Sequence, residues 1–300
     1  MTDVRPDDAP PTCYRHPDRV SYVSCQRCGR PICPECQNQA AVGVQCPECV
    51  RGAQTPAVRR AGGWMQALRP RRSVVTFSLM GLIVLAYAGQ WLSGQWLTNA
   101  WVLAVPIVGA EPWRLVTSMF LHSPATIIHI LFNLYALYAL GPALESFLGR
   151  ARYLALYLVA GLGGSVGVLA LYELALVTNG AVITATNGFL SPSIFALGAS
   201  GAIFGLMGAY IPLRKAIGVR IGQLAIVLGI NVVIGFVATG IAWEAHLGGL
   251  AVGAAIGAVY VRTRRAEQRR AQVLGVAAIA VALVVIVALF VASAPGAYGL

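Results

Sequence analysis

Charge is what this chain lacks most. Lys, Arg, Asp and Glu together make up 11% of its 300 residues, and only 11 of those are acidic. Soluble domains carry about a quarter of their residues charged, so most of this chain falls outside the soluble class, as its 57% hydrophobic content and mean hydropathy of +0.70 also say. Cysteine is absent beyond Cys49, which excludes a disulfide scaffold running through the protein. Histidine occurs only four times, so each can be accounted for individually. The first seventy residues have no basic start followed by a short apolar run, the mark of a secretory signal. The N-terminus is therefore expected to stay in the compartment where it is made, with apolar spans doing the targeting.

Runs of about 20 apolar residues cross a hydrocarbon core of about 30 Å. Seven runs qualify, near 74–92, 127–149, 153–172, 194–213, 221–239, 242–261 and 273–292. The stretch from Ser93 to Thr126 is long but is no span. A net charge of +11 would suggest nucleic acid if the arginines sat on a soluble domain, but they lie between apolar blocks. Arg59, Arg60, Arg69, Arg71 and Arg72 precede the first run; Arg150 and Arg152 follow the second; Arg214, Lys215 and Arg220 follow the fourth; Arg262, Arg264, Arg265, Arg269 and Arg270 follow the sixth. The other side has Arg114 alone. Basic loops stay inside, so the N-terminus is expected in the cytoplasm and the tail outside. The partner implied is a lipid bilayer and not nucleic acid.

All seven cysteines lie between residues 13 and 49, in pairs with two-residue gaps: Cys13 with His16, Cys25 with Cys28, Cys33 with Cys36, and Cys46 with Cys49. Eight soft ligands are what two tetrahedral zinc ions need, and the short gap lets both members of a pair reach one ion. A reducing cytoplasm favours metal over disulfide. Eight protein ligands leave no open position on either ion, so the role is structural or partner docking. The basic, Gly-containing stretch around Pro70 reads as a linker to the membrane.

Hydrocarbon leaves polar groups without water, so those in the spans need a partner or a purpose. His129 and Asn133 are four apart in "IIHILFNLYAL", one turn along one helix face. Gly249, Gly253 and Gly257 follow His246 at every fourth position and open a stripe for a second helix. Gly198, Gly201, Gly205 and Gly208 lighten the segment of Ser200 in the same way. Serine needs a base to become a nucleophile, and a neutral histidine supplies one; Ser200 and His246 fit that arrangement. Amide hydrolysis also needs donors for the oxyanion, which His129, Asn133 and the backbone amide of Ser200 could provide. The alternating topology sets all four residues toward the outer ends of their spans. Glu145 is read as capping a neighbouring helix or meeting Arg150 or Arg152, and Glu244 as a solvated, interfacial carboxylate, since two positions on a helix separate it from the face of His246.

Taken in order, "EPWRLVTSMFLH", "HILFN", "GASG" and "AHLGG" resemble the rhomboid family of intramembrane serine proteases, over residues 74 to 261. The resemblance implies an all-α polytopic membrane fold with a six-helix core over 74–261 and, in residues 262–300, a basic loop, one appended transmembrane helix and a short tail. It implies a catalytic dyad of Ser200 and His246, oxyanion stabilisation by His129 and Asn133, a loop anchor at Trp113 and Arg114, a ring from Phe204 on His246, a structural role for His122, no cofactor for catalysis, and membrane-spanning protein substrates. Residues 1–55 are similar to the B-box family of cross-braced zinc modules, in which first and third ligand pairs share one ion and second and fourth the other; a sequential pairing stays open. Residues 56–73 are the linker. A cytoplasmic protein partner of the zinc module and a bacterial plasma membrane complete the expectation. Two rivals stand beside it: a rhomboid-like adaptor that has lost catalysis, which should lack the serine or the histidine, and a transporter, which should show broken helices in two halves.

Overall fold

A computed structural model describes residues 10–40, 43–53, 73–181, 191–216, 229 and 241–298. The chain divides into two compact units, Met1–Gly63 and Trp64–Leu300.

In the first unit, β1 (Thr12–Cys13) pairs antiparallel with β2 (His16–Val20), and β3 (Asn38–Gln39) with β4 (Val44–Gln45); α1 (Pro47–Ala53) follows. The buried core is five cysteines and Ile32: Cys13, Cys25, Cys33, Cys36 and Cys46. So small an apolar core cannot by itself offset the entropy of ordering the chain.

The second unit is helical. Five of its helices are long and apolar enough to cross a membrane: α2 (Val74–Leu92), α5 (Ile127–Leu148), α6 (Arg150–Val177), α8 (Trp243–Arg262) and α9 (Arg269–Ser293). The protein is thus a multi-pass membrane protein, and these five answer the first, second, third, sixth and seventh expected spans. The fourth becomes α7 (Ser200–Ala216), 17 residues long and starting six residues later than its apolar run, because Phe195–Ala196 forms a strand instead. The fifth, 221–239, lies outside the described residues except for Gly229, as do the linker with Pro70 and Arg59, Arg60, Arg69, Arg71, Arg72 and Arg220.

Between α2 and α5 the expected non-spanning stretch forms α3 (Trp96–Trp101), β5 (Leu103–Ala104) and α4 (Arg114–Thr117). β5 pairs antiparallel with β6 (Phe195–Ala196), joining Leu103 to Ala196 and Ala104 to Phe195.

α7 sits at the centre, with Gly201 to Ala209 buried throughout. A Cβ on Gly249 would stand 1.9 Å from the carbonyl oxygen of Gly201, and one on Gly253 1.9 Å from that of Gly205. Only glycine allows this approach. The constant offset makes α7 and α8 parallel, with their first turns at one end. On α6, Gly167 faces Glu244 and Gly163 faces Gly248, so α6 runs antiparallel to both.

Glu145 takes the first of its two expected roles. Buried on α5, it caps the start of α2, accepting the Val75 N–H at 3.0 Å, the Thr76 N–H at 2.8 Å and the Thr76 hydroxyl at 2.7 Å. Two otherwise orphan amide donors at the start of α2 are satisfied there.

Candidate active site

The N-terminal turns of α5, α7 and α8 carry the predicted residues. Ser200 is the first residue of α7, His246 the fourth of α8, and His129 the third of α5. Phe204, one turn below Ser200, stacks on the His246 ring, with centroids 4.2 Å apart and planes 7° from parallel. Side chains four apart share a helix face, so the stack brings His246 to the face of α7 that carries Ser200. Among the described residues the buried Nδ1 of His246 has no hydrogen-bond partner.

His129 approaches from α5. A Cβ placed on Gly198 would lie 2.9 Å from His129 Nε2 and 3.7 Å from Ser200 Oγ. Both atoms therefore border the space over Gly198. The sequence reading gave Gly198 to helix packing; instead it precedes α7 with φ +125°, a backbone conformation that favours glycine, and a side chain there would occupy that same space. His129 Nδ1 accepts the Ser123 N–H at 3.4 Å, which puts the proton of the neutral ring on Nε2, the nitrogen beside Ser200.

Asn133 is engaged within α5. It is buried and lies one turn beyond His129, but its amide donates to the His129 carbonyl at 2.8 Å and so is tied to its own helix. His122 is fully buried, its ring 5.1 Å from that of His129 and its backbone N–H donating to Gln90 Oε1 at 3.0 Å. Burial, with His129 alongside, pushes its pKa down to about 3, leaving the ring neutral at ordinary pH.

Glu244 corrects the expectation of a solvated carboxylate. It is 4% exposed, and its Oε1 accepts the Ser193 N–H at 3.0 Å, because the segment ahead of β6 folds over the first turn of α8. Its contact is that backbone amide, not His246.

The loop before α5 is fixed by Arg114, itself 5% exposed. Its guanidinium pairs with Glu111 and donates to the carbonyls of Asn99 and Val102, the latter at 2.9 Å, closing the end of α3. Trp113 Nε1 donates to the Ala100 carbonyl at 3.4 Å. The Ser165 hydroxyl on α6 donates to the Leu115 carbonyl at 2.8 Å, and the Gly198 N–H to the Ser118 carbonyl at 3.0 Å. The loop that bears Arg114 thus reaches the segment that bears Ser200.

In the first unit the eight ligand candidates fall into two groups, Cys13, His16, Cys33 and Cys36, and Cys25, Cys28, Cys46 and Cys49, with the atoms of each within 4.8 Å of one another. The pairs are interleaved, as in cross-bracing. His16 Nδ1 is 3.8, 3.3 and 3.5 Å from the sulfurs of Cys13, Cys33 and Cys36, and the Cys28 and Cys46 sulfurs are 3.7 Å apart. A tetrahedron with Zn–S of about 2.3 Å and Zn–N of about 2.0 Å has edges of about 3.5–3.8 Å, so the groups fit zinc. Arg30 donates to the Cys28 sulfur at 3.4 Å and pairs with Glu48 at 2.6 Å, while Arg19 pairs with Glu35 at 2.8 Å. Each Cys-Pro-Glu-Cys knuckle thereby ties its glutamate to an arginine from an earlier segment.

Comparison with known proteins places the second unit. The chain matches the Rhomboid domain over residues 109–263. It is 34% identical over 152 residues to the putative rhomboid protease YdcA of Bacillus subtilis (strain 168), covering 49% of this chain and 66% of that protein. It is 35% identical over 149 residues to the rhomboid protease GluP of the same organism, covering 48% and 25%. It is 33% identical over 161 residues to RHOMBOID-like protein 6, mitochondrial, of Arabidopsis thaliana, covering 50% and 44%. The chain spans less than two thirds of each.

Proposed function

The chain belongs to the rhomboid family, and from that premise we propose that it is an intramembrane serine endopeptidase that cleaves membrane-spanning segments with a Ser200–His246 dyad. The observation that carries the reading is the meeting of three helix N-termini at one place: His246 stacked on Phe204 of the serine's own helix, and His129 Nε2 beside Ser200 across Gly198.

The chemistry follows from those positions. Ser200 Oγ attacks the scissile carbonyl while His246 takes its proton and passes it to the leaving amine; water then releases the acyl group by the reverse path. The carbonyl oxygen becomes negative, and the His129 Nε2–H, the Ser200 backbone N–H and an Asn133 amide freed from its own helix donate to it. With Nδ1 of His246 lacking a partner among the described residues, a dyad fits better than a triad. Cleavage needs no cofactor. Substrate helices enter from the bilayer and unwind near its outer face, with the N-terminus of the enzyme in the cytoplasm of a bacterium and the protease core at residues 74–261.

The first unit is proposed as a structural module holding two zinc ions, one on Cys13, His16, Cys33 and Cys36 and the other on Cys25, Cys28, Cys46 and Cys49, which presents a docking surface to a cytoplasmic protein. The retention of Ser200, His246, His129 and Asn133 together argues against the adaptor. The test is cleavage of a fluorogenic single-span substrate in detergent, with fluorophosphonate labelling, by wild type, Ser200→Ala and His246→Ala. Wild type is expected to cleave and label and Ser200→Ala to do neither. Folded wild type that does neither on several substrates would return the protein to the adaptor class.

A further inference from the structure

The helix added beyond the six-span core ends in a segment that folds back onto the unit. After α9, residues 295–297 make a short turn and Tyr298 is fully buried. The Tyr298 hydroxyl donates to Glu173 Oε2 on α6 at 2.8 Å, and its ring meets Tyr172 edge-on at 5.8 Å. The Ser293 hydroxyl donates to the other Glu173 oxygen at 2.9 Å, so one carboxylate holds the end of α9 and the turn after it.

The other side of Tyr298 faces the loop that follows α3. The Gly109 N–H donates to the Tyr298 carbonyl at 3.0 Å, and Tyr298 shares a buried cluster with Leu103, Val105, Val108 and Leu115. That loop continues to Ser200 through hydrogen bonds. β5 pairs with β6, Val105 N–H donates to the Ile194 carbonyl at 3.0 Å, and Gly198 N–H to that of Ser118. Gly198 stands two residues before the nucleophile.

We propose that residues 294–298 are a latch whose anchor, Tyr298 on Glu173, clamps the 103–109 loop and through the β5–β6 pair sets the position of Gly198 and Ser200. The proposal rests on Ser200 being the nucleophile. Tyr298 touches no reacting atom and is a positioning residue. The β5–β6 ladder is only two residues long and not stable by itself; beside the bonds of Val105 to Ile194 and of Arg114 to Val102, the Tyr298 carbonyl, ring and hydroxyl tie the loop to α6 and the end of α9. Small displacements matter here, since a shift of about 1 Å in a reacting group can cost about a hundredfold in rate.

The experiment uses the full chain in detergent and two readouts, substrate kinetics and backbone hydrogen exchange, on wild type, Tyr298→Ala, Tyr298→Phe and Glu173→Gln. Tyr298→Ala is expected to speed exchange at 103–109 and 194–198 and to lower kcat by roughly ten- to a hundredfold with KM within about twofold. Tyr298→Phe keeps the ring and the backbone bond and loses one hydrogen bond, so its kcat is expected to fall by about fivefold or less; Glu173→Gln behaves likewise. Exchange unchanged in those two segments, or raised evenly across α2, α5 and α6 with a matching drop in melting temperature, overturns the latch. A wild type that cleaves nothing sinks the protease reading instead, and the exchange pattern then still decides whether Tyr298 holds the loop.

Discussion

Phe204 shows what one ring does beside a histidine. His246 lies against it plane to plane, and stacked aromatic pairs are worth about 0.5–1.5 kcal/mol beyond their buried area. Phe204→Ala is therefore expected to lower kcat by about two- to tenfold, while Phe204→Tyr keeps the ring and stays close to wild type; steady-state cleavage of the single-span substrate measures both. Ser200, His246 and His129 were legible as polar residues toward one end of their spans, and they stand in the first turns of α7, α8 and α5. Glu244 was not: its distance in sequence from His246 shows which face it leaves, but not that residues 191–194 fold over it. Gly198 was misread because glycines three or four apart look alike whether they thin a helix or, as here, sit at positive φ ahead of one.

At the level of elements, the α7–α8 seam is where the unit is least tolerant. Gly253→Leu would drive a side chain into the Gly205 carbonyl, and overpacking of this kind costs about 1–3 kcal/mol or more. A lower melting temperature in detergent and a loss of labelling at Ser200 are expected together. Gly81 on α2 is the contrast: nothing among the described residues lies within 4 Å of an added Cβ. Gly81→Ala is expected to leave melting unchanged or raise it slightly, by the roughly 0.5–1 kcal/mol that alanine gains in a helix. The small-residue stripe on α8 announced its packing in the sequence. The β5–β6 pair did not, since two-residue strands carry no period, and neither did Tyr298, whose partners on α6 and the loop are set by tertiary contact.

At the level of the whole molecule, the two units have separate cores, one built on thiols and the other on helix packing. Stripping metal with a strong chelator is expected to make the module's cysteines reactive toward a thiol probe while fluorophosphonate labelling of Ser200 persists. Mass spectrometry of both adducts on one sample reads the outcome, and loss of serine labelling on chelation would mean that the module governs the protease. The zinc proposed for the first unit would supply what its few apolar residues cannot, and the two ligand clusters were readable as four pairs at two-residue spacing. The interleaved grouping was expected only through the resemblance to B-boxes, with a sequential pairing left open, because spacing fixes which residues form a pair but not which pairs meet.

The parallel course of α7 and α8 carries a further consequence. Each helix is a dipole with about half a positive charge at its N-terminus, and helices laid side by side in the same sense repel end to end. α6, antiparallel, brings its negative end to the same side and offsets that cost. What remains near Ser200 is the positive pole of α7, with those of α5 and α8 close by. An anion forming on a carbonyl there is drawn by the backbone itself, so part of the field that favours it would survive the loss of any single side chain.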